Sequence, residues 1–130
     1  MLVVLMLVLN CSRLAKVAAC SGNFSLSCHY VELIGTHTLQ ASCGAPNTFT
    51  QFSTLDLDEH IFNIGGGLRC RSIGNFSASC RDETVTDTYQ NFRYYLNAQC
   101  NTDYNIYIPA SLNLDDCVTN NNGKLGWACV

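Results

Sequence analysis

Two nearly identical heptads constrain this chain more than any other feature. GNFSLSC begins at Gly22 and GNFSASC begins at Gly74, and six of the seven residues are the same. Corresponding residues are 52 positions apart in these heptads and 57 apart from the next pair of cysteines onward, which predicts a longer loop over residues 87–93 in the second copy. A unit of about 50 residues buries a poor core alone. We therefore expect repeat one (20–71) and repeat two (72–130) to pack as a single pseudo-symmetric domain.

The residue pattern within each repeat is typical of β-strands. Val31 and Leu33 alternate with polar neighbours, a Gly-Thr-His stretch interrupts the run, and Leu39, Ala41 and Cys43 resume the alternation. This pattern predicts a β-hairpin. The LDEHI segment is an exception, because its acidic residues suit a helix N-terminus, and it is expected to hold one helical turn. The predicted fold class is all-β.

Residues 1–19 are predicted to be a secretory signal peptide. The run MLVVLMLVL is unbroken and apolar. It is shorter than the roughly 20 residues of a spanning helix but matches the core of a signal. Val17 and Ala19 occupy the small-residue positions before a cleavage site at Cys20. The alternatives are a buried N-terminal strand or a misassigned start codon. Secretion to the extracellular space, without membrane insertion, is the prediction.

The cysteine content predicts a disulfide framework. The chain has nine cysteines, and removal of residues 1–19 leaves an even eight. In a secreted protein such a set forms disulfides rather than a metal site. The repeat makes Cys28–Cys43 and Cys80–Cys100 equivalent pairs, each clamping its own hairpin.

The remaining four cysteines leave the pairing open. Cys20 and Cys129 lie at the two ends of the mature chain, and their pairing would leave Cys70 with Cys117. The repeat provides a check on that second pair, because Cys70 corresponds to Trp127 and Cys117 to His60. If a two-fold axis relates the halves, a Cys70–Cys117 contact implies that Trp127 stacks on His60.

Several classes of function have little support in the sequence. The formal net charge is −3 and there is no basic block, so nucleic acid is not an expected partner. The cysteines and histidines lack zinc-site spacing, and the calcium-like run DDCVTNNNG lacks a closing Glu. We expect no metal and no cofactor.

Catalysis is also not expected. Three histidines are candidate bases: His29, His37 and His60. The best acidic cluster is Asp56, Asp58 and Glu59, which becomes Asn113, Asp115 and Asp116 in the second copy. No nucleophile elbow or phosphate loop accompanies these residues, and turn or capping roles are favoured for the acids. The prediction is that the protein is not an enzyme.

Short polar side chains at turns point instead towards sugars. Such groups have low rotamer entropy and supply both donors and acceptors, which suits the hydroxyl groups of a saccharide. They are also common turn formers. The residues of this kind are Asn63, Asn75, Asn101, Thr102, Asp103, Asn120, Asn121 and Asn122.

Four segments of the sequence together resemble a known family. The segments GNFSLSC, LDLDEHIFNIGGGLRC, GNFSASCRD and LNLDDCVTNNNGKLGW are together similar to the cyanovirin-N homologue family of lectins, over about Ser21 to Trp127. The resemblance implies an elongated, pseudo-two-fold body with a triple-stranded sheet and a β-hairpin in each half and short helical turns. It also implies non-catalytic binding of mannose-type glycans or glycoproteins near each end.

Carried over position by position, the resemblance places sugar contacts at two ends. The set at the first, here called the Asn63 end, is Asn63, Gly65, Gly74, Asn75, Ala78, Ser79, Asn101, Thr102 and Asp103. The set at the second, the Asn120 end, is Asn23, Leu26, Ser27, Gly44, Pro46, Asn120, Asn121 and Asn122. The family favours polar or acidic groups where this chain has Leu26, Gly44 and Pro46, and an acid where it has Gly65 or Asn122. We expect the Asn63 end to bind and the Asn120 end to be weak or silent.

Three further expectations remain. Asn23 and Asn75 are glycosylation sequons in a secreted chain, and a glycan on either would stand in or beside a sugar site. A stable secreted scaffold with degenerate sugar sites is the alternative function. The short RCRSIG connection permits either a monomer or a dimer that exchanges its halves.

Overall fold

The computed structural model describes residues 22–46, 48–88 and 93–128, and its described part is built from strands and short 3₁₀ turns. The strands of repeat one are β1 (Cys28–Ile34), β2 (Thr38–Ala45), β3 (Thr48–Asp56), β4 (Ile61–Ile64) and β5 (Gly67–Cys70). Those of repeat two are β6 (Cys80–Thr88), β7 (Arg93–Asn101), β8 (Tyr107–Asn113), β9 (Val118–Asn121) and β10 (Lys124–Trp127). The predicted signal peptide, Cys20 and Cys129 lie outside the described residues. The all-β prediction is confirmed.

Each repeat forms one antiparallel three-stranded sheet and one two-stranded hairpin. The sheets have the orders β1-β2-β3 and β6-β7-β8, and the hairpins are β4-β5 and β9-β10. Both sheets contain a bulge in their first strand, where Tyr30 and Asp82 adopt left-handed backbone angles (φ 53° and 57°). Within the described residues, no helix is long and apolar enough to cross a membrane.

Four single-turn 3₁₀ helices connect these elements. They are η1 (Phe24–Leu26), η2 (Leu57–Glu59), η3 (Phe76–Ala78) and η4 (Leu114–Asp116). The predicted turn in LDEHI is η2, and the Asp56 carboxylate caps it by accepting the Asp58 N–H at 3.0 Å. The turns η1 and η3 were not predicted from the residue pattern, because they begin at asparagines in the left-handed region rather than at capping side chains.

The hydrophobic core is shared between the two repeats. Phe24 and Phe76, the phenylalanines of the two heptads, are both completely buried, and they belong to one cluster with leucines of both sheets. Burying one such ring stabilises the fold by about 1.5–3 kcal/mol. The strongest sequence repeat therefore encodes the centre of the molecule.

Polar contacts also cross between the repeats in a reciprocal way. The carboxylate of Asp115, which is fully buried, accepts the N–H and the hydroxyl of Ser25 at 2.9 and 2.7 Å. In the other half the Asp58 carboxylate accepts the N–H of Ser77 at 2.9 Å and the hydroxyl of the same serine. Each copy therefore anchors the heptad of the other, as the expected pseudo-two-fold relation requires.

The disulfides confirm three of the four predicted pairs. Cys28–Cys43 and Cys80–Cys100 join residues that are in register on neighbouring strands, with Cα–Cα distances of 4.1 and 4.0 Å. The third bond, Cys70–Cys117, joins the two repeats across 6.3 Å between Cα atoms. The pair Cys20–Cys129 falls outside the described residues.

The predicted stacking of Trp127 on His60 is confirmed as well. The two rings meet edge to face, with centroids 5.1 Å apart. Equivalent backbone bonds flank the two contacts, from the Arg71 N–H to the His60 carbonyl at 2.7 Å and from the Ala128 N–H to the Cys117 carbonyl at 2.8 Å. An aromatic contact therefore occupies the place in one half that a disulfide occupies in the other.

The extra residues of repeat two do not only lengthen a loop, as predicted for residues 87–93. Asp87 pairs with Tyr94 and Thr88 with Arg93, so part of the insertion extends the β6-β7 hairpin. These added pairs continue the existing hydrogen-bond ladder of the hairpin.

Candidate functional site

The Asn63 end is organised around one amide side chain. Asn63 Nδ2 donates to the Ser79 hydroxyl and to the Asn101 carbonyl, both at 2.9 Å. Its Oδ1 accepts the Gly66 N–H at 2.8 Å. Asn63 belongs to repeat one, whereas Ser79 and Asn101 belong to repeat two, so this end is assembled from both copies.

The Asn120 end has the same construction with the repeats exchanged. Asn120 Nδ2 donates to the Ser27 hydroxyl and to the Gly44 carbonyl, both at 2.8 Å, and its Oδ1 accepts the Gly123 N–H at 2.7 Å. Each bond has its counterpart at the Asn63 end within 0.1 Å. The two asparagines are therefore structural hubs, and their amides are already committed to the protein.

Residues 102–106 form a tight loop after β7, here called the Thr102 loop. The Thr102 N–H donates to the Ile106 carbonyl at 2.8 Å, and the Asn105 N–H donates to the Thr102 carbonyl at 3.1 Å. The Thr102 hydroxyl accepts the N–H groups of Tyr104 and Ile106 at 3.2 and 3.3 Å. This loop is a defined turn that contributes polar groups to the Asn63 end.

The side chains around the Thr102 loop differ in how many of their polar atoms are hydrogen-bonded to the protein. Asn101 Nδ2 donates to Asn105 Oδ1 at 3.0 Å, while its own Oδ1 is buried without a hydrogen-bond partner in the described part of the chain. The Asp103 carboxylate is exposed, and its Oδ2 lies 3.7 Å from the point where a Cβ on Gly65 would stand. The β4-β5 turn and the Thr102 loop therefore face each other across the predicted site.

The sequence and fold were compared with known proteins. A family model described as the CVNH domain matches residues 24–127. This chain belongs to the CVNH family, which is a family of lectins. The match includes both hubs and the Thr102 loop, and it confirms the resemblance that the repeated segments predicted.

Solved structures of CVNH proteins share this fold. The CVNH protein of Gibberella zeae is 30% identical, with a TM-score of 0.76 over 83% of this chain and 99% of that one. Microvirin, solved as a complex with mannobiose, is 26% identical, with a TM-score of 0.70 over 82% and 98% of the two chains. The CVNH protein of T. borchii is 25% identical, with a TM-score of 0.67 over 81% and 98%.

The remaining predicted residues of the Asn63 end occupy two different environments. Gly74 lies against the backbone of η2, where a Cβ would overlap the Asp58 carbonyl oxygen, so this CVNH protein needs glycine there for packing. Asn75 is exposed, has a left-handed backbone (φ 102°) and makes no capping bond to η3. Its carbonyl accepts the Ala78 N–H at 3.3 Å, which places it one turn before Ser79.

The predicted residues of the Asn120 end present fewer polar groups around the hub. Leu26 is 78% exposed, and Pro46 is exposed and has no N–H donor. Asn23 is half-buried and its backbone forms a bridge with Thr119 of β9. The exposed pair Asn121 and Asn122 provides the free amides at this end.

Sequence reasoning missed three residues that shape the Asn63 end. Tyr104, Asn105 and Ile106 complete the Thr102 loop and are all exposed. The run NTDYN contains four residues that favour turns, and this composition is a signal for a tight loop. The identity of its hydrogen bonds depends on the backbone path and cannot be predicted from composition.

The other candidate chemical cluster has a structural explanation. Ligand atoms of His37, Asp56 and Asp58 lie within 4.8 Å of one another, and His37 Nδ1 lies 2.7 Å from Asp56 Oδ1 and 3.6 Å from Asp58 Oδ2. Asp56 also caps η2, and Asp58 also binds Ser77 of the other repeat. The capping role predicted for the acids is confirmed for Asp56, and Asp58 joins the two repeats.

Repeat two has a tyrosine where repeat one has His37. Tyr94 packs its ring on Phe24, with centroids 5.9 Å apart. Burial raises the pKa of the Tyr94 hydroxyl above its usual value, with smaller contributions in the same direction from the negative charges of Asp87 and Asp115. His37 therefore bonds to an acid of its own repeat, whereas Tyr94 packs on a phenylalanine of the other repeat.

Proposed function

We propose that this CVNH lectin binds mannose-type oligosaccharides or glycoproteins at the Asn63 end, without catalysis. The observation that carries the proposal is a difference in the exposed polar side chains around two equal hubs. Only the Asn63 end has a carboxylate among its predicted residues, whereas the exposed polar groups at the Asn120 end are the amides of Asn121 and Asn122. At the Asn63 end the Asp103 carboxylate and the Asn75 amide are exposed, and they make no hydrogen bond to the described residues. A fixed frame with free donors and acceptors lowers the entropic cost of binding a polyhydroxylated ligand.

The Asn101 side chain adds a second reason to favour this end. Its buried Oδ1 has no partner among the described residues, whereas its amide binds only Asn105. An unsatisfied buried acceptor costs on the order of 1–3 kcal/mol. A ligand hydroxyl that replaces Asn105 can satisfy both groups, so sugar binding would relieve a cost that the free protein carries.

Relatives support the chemical class of the ligand. The microvirin structure is a complex with mannobiose, and it has the same fold at 26% identity. Mannose-type glycans are therefore the first ligands to test on this chain. The alternative, a scaffold with degenerate sugar sites, is favoured by the side chains at the Asn120 end, where Gly44 and Pro46 replace polar groups.

Glycan titration followed by NMR or calorimetry tests the proposal. We expect Asp103→Ala to weaken binding of a high-mannose oligosaccharide by about 10-fold or more, because it removes a charge-assisted hydrogen bond worth about 1.5–3 kcal/mol. Asn122→Gly is the matched control, since it copies Gly65 at the equivalent turn and removes an exposed amide from the other end. Equal losses from both variants contradict the asymmetry, and no binding of any high-mannose glycan by the wild-type protein favours the scaffold alternative.

A gain-of-function variant provides a further test of the same asymmetry. Gly44 corresponds to Asn101 and Pro46 to Asp103. A Cβ at Gly44 would stand 3.7 Å from the Ser27 carbonyl oxygen and 4.0 Å from Thr50 Cγ2, which are ordinary contacts. The double variant Gly44→Asn/Pro46→Asp is therefore expected to fold and to create measurable binding at the Asn120 end.

We also propose secretion, and glycosylation at Asn75 in preference to Asn23. Asn75 is exposed, whereas Asn23 is half-buried and bridged to Thr119. A glycan on Asn75 would stand beside the Asn63 end and compete with an external ligand. Intact mass of protein from its native host, before and after enzymatic removal of glycans, tests cleavage before Cys20 and the occupancy of both sequons. Size-exclusion chromatography of the same sample distinguishes a monomer from a dimer that exchanges its halves.

A further inference from the structure

The Thr102 loop presents an exposed aromatic side chain on a hydrogen-bonded backbone. Tyr104 stands at the tip of the loop and is 86% exposed, the highest value among the large apolar side chains of the described residues. Its own backbone N–H is held by the Thr102 hydroxyl at 3.2 Å. The loop is closed on both sides of the ring, at Thr102 by Ile106 and at Asn105 by Asn101.

Tyr104 is flanked in the chain by two polar residues of the Asn63 end. Asp103, the residue before it, faces Gly65 across the site, and Asn105, the residue after it, is bonded to Asn101. The next apolar neighbour along the loop, Ile106, is 60% exposed. Two exposed apolar side chains, Tyr104 and Ile106, therefore belong to the same loop as a carboxylate and an amide of the Asn63 end.

We propose that Tyr104 forms an aromatic subsite that takes the flat C–H face of a β-linked, gluco-configured pyranose such as N-acetylglucosamine. This inference rests on the proposed function, because the subsite extends the same Asn63 end. The ring covers one face of the sugar while Asp103 and the neighbouring amides bind hydroxyl groups at its edge. The combination of a rigid aromatic anchor and a few polar groups is typical of ligand sites that are formed in advance.

Sugar stereochemistry determines which ligand such a ring prefers. In a β-linked gluco-configured pyranose every ring substituent is equatorial, so axial C–H groups cover both faces and can lie flat on an aromatic ring. In an α-linked mannose the oxygens at positions 1 and 2 are axial and point to opposite faces. Each face of α-mannose is therefore interrupted by an oxygen, and its stacking on Tyr104 is weaker.

The tyrosine that forms this subsite is not repeated. The residue that corresponds to Tyr104 in repeat one is Asn47, and an asparagine has no aromatic face. The Tyr104 subsite therefore belongs to the Asn63 end, and it adds ligand selectivity to the difference in polar groups.

Titrations of two probes test the inference: a tetramer of β-1,4-linked N-acetylglucosamine, and an α-linked mannobiose. We expect Tyr104→Ala to weaken binding of the N-acetylglucosamine tetramer by about 3- to 10-fold and binding of the mannobiose by less than about 2-fold. Tyr104→Phe should retain most of the affinity, because it keeps the ring. Tyr30→Ala is the matched control, since Tyr30 is 79% exposed on the sheet of repeat one, away from the Thr102 loop.

The possible failures are distinguishable. A wild-type protein that binds mannobiose but not the N-acetylglucosamine tetramer overturns the inference and leaves the proposed function standing, as does an equal loss for both probes in Tyr104→Ala. A wild-type protein that binds neither probe overturns both. Because Tyr104 is exposed, Tyr104→Ala should unfold at the wild-type temperature, and this measurement excludes misfolding as the cause of any loss.

Discussion

The two ends of this lectin share the same hub hydrogen bonds but differ in the side chains around the hub. Asn63 and Asn120 make matching sets of hydrogen bonds, at distances that agree within 0.1 Å. Around that frame, Asn101 and Asp103 at one end correspond to Gly44 and Pro46 at the other. The hub bonds hold the repeats together, whereas Asp103 and Pro46 are exposed. The two copies therefore share their architecture and differ in the residues around the hubs.

The largest expected effect concerns the glycines that begin the two heptads. A Cβ at Gly74 would overlap the Asp58 carbonyl oxygen, and a Cβ at Gly22 would overlap the Val118 carbonyl oxygen. Because the obstacle is backbone in both cases, Gly22→Ala and Gly74→Ala should each lower the free energy of unfolding by about 3 kcal/mol or more. Chemical denaturation measures this effect, with Gly44→Ala as the control, because a Cβ at Gly44 would make only ordinary contacts.

This pair also tests the resemblance-based role of Gly74. If Gly74→Ala kept wild-type stability and lost only sugar binding, Gly74 would be a ligand contact, as the family position implies, rather than the packing residue that we describe. A loss of stability in Gly74→Ala without one in Gly22→Ala would instead show that the two heptads are not packed equivalently.

The next largest effect concerns two different contacts that occupy equivalent places in the two halves. The Cys70–Cys117 bond joins the repeats in one half, and His60 packs on Trp127 in the other. Removal of a native disulfide costs about 2–5 kcal/mol, so the double variant Cys70→Ser/Cys117→Ser should be destabilised within that range. Trp127→Ala should cost less, about 1–3 kcal/mol, because Trp127 is only partly buried.

Thermal unfolding of both variants, compared with the wild-type protein, shows which of the two contacts stabilises the fold more. A larger loss from Trp127→Ala would mean that the aromatic pair contributes more than the disulfide to holding the repeats together. A dimer of the cysteine variant on size-exclusion chromatography would indicate that the bond also restrains exchange of halves between chains.

The hub asparagines should separate stability from binding. Asn63→Ala and Asn120→Ala each remove two donated bonds that join the repeats and one accepted bond within a repeat, so both should lose about 2–3 kcal/mol of unfolding free energy. In glycan titrations below the unfolding transition, only Asn63→Ala should lose affinity. A difference in stability of more than about 1.5 kcal/mol between the two variants would show that their frames are not equivalent.

Residue patterns predicted the strands, hairpins and three described disulfides because the sequence contains two copies of one unit, and a pattern seen in one copy can be checked in the other. The same self-comparison predicted that Trp127 meets His60, since a symmetry relation carries one contact into another. It could not predict the Thr102 loop, whose bonds depend on a hydroxyl reaching two N–H groups. Nor could it show that Asn63 and Asn120 donate inward, because an asparagine at a turn is equally suited to solvent, sugar or backbone.

The smallest expected effect tests the difference between His37 and Tyr94, which occupy equivalent positions beside Asp58 and Asp115. The pKa of Tyr94 is raised in the folded protein, first by burial and then by the charges of Asp87 and Asp115. The unfolded chain therefore loses this proton at a lower pH, near 10. The stabilising contribution of neutral Tyr94 is complete below that pH and declines as pH rises from about 10 through the higher pKa of the folded state.

Denaturant unfolding from pH 8 to pH 11 measures this contribution as the difference between the wild-type protein and Tyr94→Phe. The phenylalanine keeps the ring on Phe24 but cannot ionise, so the variant should lose less stability than the wild type above about pH 10. Tyr104→Phe is the control, because it removes the hydroxyl of a tyrosine that is exposed rather than partly buried. Parallel profiles for wild type and Tyr94→Phe would mean that burial beside Asp115 does not distinguish repeat two from the His37 half of the molecule.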